Sequence, residues 1–164
     1  MKRNLKYTAI SKGLLTFGMA IGLSLSSGMA AAVGEITVVA NDTLIKQGEE
    51  LSAIVALNGD SRYDVYVGLT GGILNTYIFA FDANGGLILW DGKGSPAKLR
   101  ENVDLASLSV KDKVIKLFPR LPLSSDLAGT YSIYAVLSAP GQFQQQLQEG
   151  TLIFGEPLKF KVVE

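Results

Sequence analysis

From residue 35 onward no apolar stretch keeps helical spacing; short runs that alternate apolar and polar side chains are separated instead by clusters of Gly, Asn, Asp and Pro. A period of two places one set of side chains on a core and the other in solvent, and the intervening residues are those that turn a chain. Such a chain folds as β-strands. With 164 residues and a leader at the front, there is room for one domain, and the expectation is a single antiparallel β-sandwich over residues 33–164.

The strands read as follows. Ile36 to Val39 comes first and is broken by Asn41-Asp42. Leu51 to Leu57 sends Leu51, Ala53, Val55 and Leu57 to one face. Tyr63 to Leu69 does the same with Tyr63, Val65, Val67 and Leu69, leaving Asp64, Tyr66 and Gly68 on the other side, the pattern of a strand buried on one face. Tyr77 to Phe81 and Leu87 to Trp90 flank Asp82-Ala83-Asn84-Gly85-Gly86, and the Asn-Gly within it, both residues tolerant of positive φ, predicts a hairpin. Residues 92–109 carry Gly94, Ser95 and Pro96 and irregularly spaced apolar residues, and are expected to be loop with at most a short helical turn. Val114 to Phe118 is a strand closed by Pro119 and Pro122, which lack a backbone donor. Ser132 to Leu137 and Leu158 to Val163 complete the set, and between them Phe143 and Leu147, four apart, allow one or two helical turns in a glutamine-rich loop.

The front of the chain has the three parts of a secretory signal. Lys2, Arg3, Lys6 and Lys12 are basic, Gly13 to Leu25 is apolar, and Gly28 to Ala32 is rich in small residues, which suits cleavage after Ala30 or Ala32. The expected division is a signal peptide over 1–32 and a periplasmic or extracellular domain over 33–164. Because no charge falls between Lys12 and Glu35, the rival reading is an uncleaved membrane anchor. All four leader charges are basic, so of 15 basic residues 11 remain against 15 acidic ones, a net charge of −4. The densest basic group, Lys111, Lys113 and Lys116, contains Asp112, so nucleic acid is not an expected partner. No cysteine is present, so an exported fold of this kind rests on its core alone.

The chain has no histidine and no cysteine, which removes Ser-His-Asp triads, thiol nucleophiles and the common zinc sites. Asp64, Asp82, Asp91 and Asp104 are the carboxylates to weigh for glycoside hydrolysis, but their spacing pairs none of them, and they are expected to be turn and surface acids. Asp82-Ala83-Asn84-Gly85 echoes the start of a calcium loop without its downstream glutamate, and the hairpin accounts for every residue of it. Neither GxGxxG nor GxxxxGK[ST] occurs. No cofactor and no metal site is expected.

Asp126-Leu127-Ala128-Gly129-Thr130-Tyr131 leads directly into a strand. The pattern resembles the tyrosine corner of immunoglobulin-like sandwiches, with Asp126, Gly129 and Tyr131 as its structural residues and the phenol bonding back to upstream backbone. Tyr66-Val67-Gly68-Leu69, the Trp90 hairpin, the Pro119 to Pro122 approach and Gly129 to Tyr134, in that order, resemble β-sandwich modules of uncharacterised secreted bacterial proteins. That resemblance implies a fold and no activity.

What remains for function is binding. The leading expectation is a non-catalytic module that binds or assembles with another cell-envelope or extracellular protein through the loops Gly92 to Lys98 and Ala139 to Gly150, with Gln142, Gln144 and Gln145 as contacts. A carbohydrate-binding domain is the alternative, in which Tyr66, Trp90 and Tyr134 form a stacking platform; the plainer reading puts the tyrosines on a partly covered second face and Trp90 in the core. A third is a subunit of a fimbria-like polymer in which Ile36 to Val39 pairs with a neighbour's sheet.

Overall fold

The computed structural model describes residues 34–163, so the signal peptide expected over 1–32 and its expected cleavage positions lie outside the described residues. The fold is an all-β sandwich. Its smaller sheet has the order β1 (Glu35–Ala40), β3 (Glu50–Asn58), β8 (Val114–Pro122). The larger runs β2 (Leu44–Lys46), β11 (Leu158–Val163), β9 (Gly129–Ser138), β4 (Arg62–Gly71), β5 (Ile78–Phe81), β6 (Leu87–Trp90), with β7 (Arg100–Asp104) added to β4 and β10 (Ile153–Phe154) to β9. Pairing is antiparallel except between β2 and β11, which run parallel. The first strand, considered above as a donor to a neighbouring molecule, pairs here with β3 of its own chain.

The period-two reading accounts for the core. Leu51, Ala53, Val55 and Leu57 of β3 face Val65, Val67 and Leu69 of β4 and Ile133, Ala135 and Leu137 of β9, all buried in one cluster between the sheets. Burial of that apolar area is the main stabilising term in a fold without cross-links.

Two expectations about strands needed correction. The segment 92–109 is not all loop, because β7 lies within it. Arg100-Glu101-Asn102-Val103-Asp104 carries a single apolar residue and pairs with β4 through a register shift, with Asn102 at φ 49°, so no apolar pattern announced it. The strand at Val114 does not stop before Pro119; it continues to Pro122, and both register shifts against β3 fall between Lys116 and Leu121. The proline thus sits where the ladder is already interrupted and its missing donor costs little. The hairpin expected across Asp82 to Gly86 forms, with Gly85 at φ 81°. Gly85 N–H donates to the Asp82 carbonyl and Asp82 N–H to the Gly86 carbonyl, so the loop ends in a glycine bulge.

The phenol of Tyr131 donates to the Leu127 carbonyl at 2.8 Å and accepts from Ile73 N–H at 3.4 Å, which ties the entry of β9 to the end of β4. Asp126 is exposed in the 3-10 turn Ser125–Leu127, and Gly129 at φ 151° lies against the backbone of Gly72.

Candidate functional site

The register of β4, β5, β6 and β9 decides what the larger sheet shows on its outer face. Gly68 stands opposite Tyr134 and Ala80, Tyr66 opposite Val136, and Trp90 opposite Ile78. Alternation therefore gathers Tyr66, Gly68, Ala80, Trp90, Tyr134 and Val136 on one surface, with the main core on the other side.

The chain then folds back over this surface. After β9 the helix α1 (Phe143–Glu149) begins, and Phe143 is its one buried residue. Gly150, at φ 69°, closes it by donating to the Leu147 carbonyl, and Thr151 N–H reaches Gln146. Leu152 and β10 follow, pairing with Leu137 and Val136 of β9. Tyr66, Val136, Phe143 and Leu152 make a second, smaller apolar cluster with Trp90 packed against it. The Phe143 ring lies 4.6 Å from that of Tyr66 and meets Trp90 edge-on at 6.1 Å.

The cover is incomplete. Between α1, β10 and the sheet runs an open groove of about 540 Å³. Gly68 and Ala80 form its floor, and a Cβ on Gly68 would lie 3.3 Å from Ile78 Cγ2, so the missing side chain gives the groove its depth. Tyr134, Leu147 and Phe154 stand at its rim, 39%, 41% and 59% exposed. Apart from the polar atoms of Tyr66, Trp90 and Tyr134, polar side chains in the lining are Thr70, Asn75 and Thr76. The volume falls in the range of ligand-binding clefts, and the lining suits an apolar occupant.

Of the residues singled out in the sequence, Tyr66, Trp90 and Tyr134 meet in this groove. Trp90 is half-buried and belongs to this outer face, not to the core between the sheets. Its indole N–H donates to the Gly94 carbonyl at 3.2 Å, and the Gln144 amide donates to that same carbonyl, so the loop after β6 is tied to α1. Gln142 is exposed at the helix start and Gln145 bonds to Glu149, so neither lines the groove.

Asp64 was expected among turn and surface acids, and it is buried, at 0% exposure. Its carboxylate accepts the N–H of Asn102 at 2.8 Å and of Gly141 at 2.9 Å, and Lys98 Nζ lies 2.9 Å away. Burial pushes the carboxyl up, but the Gly141 and Asn102 amides and the Lys98 ammonium outweigh it and hold it below the usual carboxylate range. Glu101 and Asp64 together raise the Lys98 ammonium. Desolvation raises the Tyr66 phenol, whose hydroxyl lies 3.4 Å from Asp64. Asp64 thus ties Lys98 of the loop before β7, Asn102 of β7 and Gly141 of the loop before α1 to one point on β4, two residues from Tyr66. The other weighed carboxylates do local work: Asp82 caps its turn, Asp91 accepts from Lys93 N–H, and Asp104 pairs with Arg62 at 3.2 Å. Among the described residues no group of three or more acidic side chains is arranged to hold a metal ion.

No protein-family model matches this chain, and no curated protein matches its sequence. The groove is therefore read from its own chemistry. Sequence reasoning found Tyr66, Trp90 and Tyr134 but missed Gly68, Phe143, Leu152 and Phe154 as groove residues; the one available signal was that Gly68 and Tyr66 share a face of the same strand.

Proposed function

We propose that this chain is an exported, non-catalytic β-sandwich module that binds or assembles with another cell-envelope or extracellular protein, and that the groove over β4 and β9 receives an apolar segment of that protein. The observation that carries the reading is the groove itself: a cleft of about 540 Å³ with apolar walls, aromatic residues at its rim and almost no polar lining. An apolar partner segment gains from leaving water there without leaving polar groups unpaired. The export half rests on the basic, apolar and small-residue order of the leader. Among the described residues no helix is long and apolar enough to cross a membrane. Kinship with immunoglobulin-like modules of secreted bacterial proteins belongs to the same proposal, supported by the Tyr131 to Leu127 bond.

Carbohydrate binding is the second reading, favoured by Trp90 and Tyr134 sharing one groove. It is weaker, because sugar recognition needs convergent hydrogen-bonding side chains, the Trp90 N–H and Tyr66 hydroxyl are engaged within the chain, and the rest of the polar lining is Thr70, Asn75, Thr76 and the Tyr134 phenol.

The test is photo-crosslinking in the native cell envelope, with a photoreactive residue at Tyr134 or Leu147 and a control at Lys159 on β11. The expected result is a discrete protein adduct from the two groove positions, absent from the control and lost when Gly68→Val fills the floor. Adducts equally strong from Lys159, or indifferent to Gly68→Val, would remove the groove from the account. A shift in Trp90 fluorescence with envelope glycans, in the absence of protein adducts, would transfer the assignment to carbohydrate.

A further inference from the structure

Among the described residues the sandwich has several open strand edges, and most carry a feature that resists pairing. β8 carries Pro119, exposed Lys116 and Arg120, and two register shifts. β7 is mostly charged, β2 and β10 are three and two residues long, and β1 opens on Glu35. Prolines, charges, bulges and shortness are the devices that keep edges from pairing with other chains. β6 is short, at four residues, but carries no proline, charge or register shift. Leu87, Ile88, Leu89 and Trp90 are uncharged, pair only with β5, and leave the first three side chains 43%, 49% and 51% exposed.

We propose that β6 is a self-association edge, pairing antiparallel with β6 of a second copy across a two-fold axis at Ile88. A two-fold axis normal to the sheet sets side chains of the same face opposite each other. With Ile88 on the axis, Leu87 faces Leu89 of the other copy and Trp90 lies over Gly86, so every strand residue meets an apolar neighbour or a glycine. The flanks do not oppose this register: Asp91, the first residue beyond the strand, falls opposite Gly85 of the other copy, so no like charges are brought together next to the ladder. The two larger sheets then become one, with both outer grooves on the same side.

A ladder of about five residues is some 17 Å long. That lies below the interface size of stable dimers, so the association is weak, with a dissociation constant on the order of 100 μM. The inference does not depend on what the groove binds.

The experiment uses residues 33–164, which contain every described element. Sedimentation from about 10 μM to about 1 mM should show a monomer–dimer equilibrium. Ile88→Lys, which places two ammonium groups on the axis, should abolish it, while Val39→Lys on the exposed face of β1 should leave it unchanged. Because the natural chain has no cysteine, Ile88→Cys supplies a second readout. Residues opposite one another in an antiparallel pair have Cβ atoms about 5 Å apart, so this variant should form a disulfide-linked dimer on mild oxidation at least tenfold faster than Val39→Cys. A monomer throughout the range, a dimer that tolerates Ile88→Lys, or equal oxidation rates for the two cysteines would overturn the proposal. A monomer that gains an added strand only from a different protein would overturn it too.

Discussion

Asp64→Asn should be among the more damaging single changes in this fold, although it alters one atom. The carboxylate accepts two backbone N–H groups and sits 2.9 Å from the Lys98 ammonium, with no exposure to water. An asparagine keeps one acceptor and turns its amide against the second N–H, leaving a buried donor unpaired at a cost of about 1–3 kcal/mol. Lys98 also loses its buried partner. Breaking a fully buried pair costs about 3–5 kcal/mol, but this lysine is 27% exposed and keeps Glu101 at 2.6 Å, so its share is smaller. The net expectation is about 3 kcal/mol. At an m-value of about 2 kcal/mol/M, the urea midpoint at pH 7 falls by roughly 1.5 M. The pH dependence has a definite sign. The Asp64 carboxyl is held below its ordinary value, so its contribution is present above the unfolded value of about 3.9 and is lost as pH falls through the folded value. Wild-type and Asp64→Asn curves should therefore converge below about pH 4. A midpoint shift under about 0.3 M at pH 7, or a difference that persists undiminished at pH 3, would refute the reasoning.

Tyr131→Phe removes the donor to Leu127 and the acceptor for Ile73 and should cost about 1–2 kcal/mol, read as a fall of roughly 5 °C in Tm with the fold retained. Gly72→Ala should be worse, about 3 kcal/mol, because φ is 52° and the new Cβ would run into the Tyr131 ring; denaturation of the variant checks it. Phe143→Ala removes the anchor of a seven-residue helix too short to persist alone, so the loss should be local. Hydrogen exchange should quicken over residues 139–154 and Trp90 emission should change, while protection of β3 and β9 stays intact.

The main core was legible because its cause is local. A residue in a strand faces the core or not by parity, so Leu51 to Leu57 and Tyr131 to Leu137 announced their buried faces in the order of their side chains, and Tyr131 near the start of β9 announced its own hydrogen bond. The groove was half legible. Parity put Tyr66 on the face away from the core, but only pairing with β9 set Gly68 against Tyr134 and opened a floor beneath it. Nothing in the spacing of Phe143, Leu152 and Phe154 says that they close over β4, a strand some eighty positions earlier. Asp64 shows the limit most clearly. Its neighbours in sequence make it an ordinary polar residue on the solvent side of a strand, and its burial follows from β7 and the loops before β7 and α1, which bring it two amides and an ammonium. Strand faces follow from the chain's own stereochemistry; what covers the second face depends on long-range contacts, because partners distant in sequence leave no periodic trace near the residues they bury.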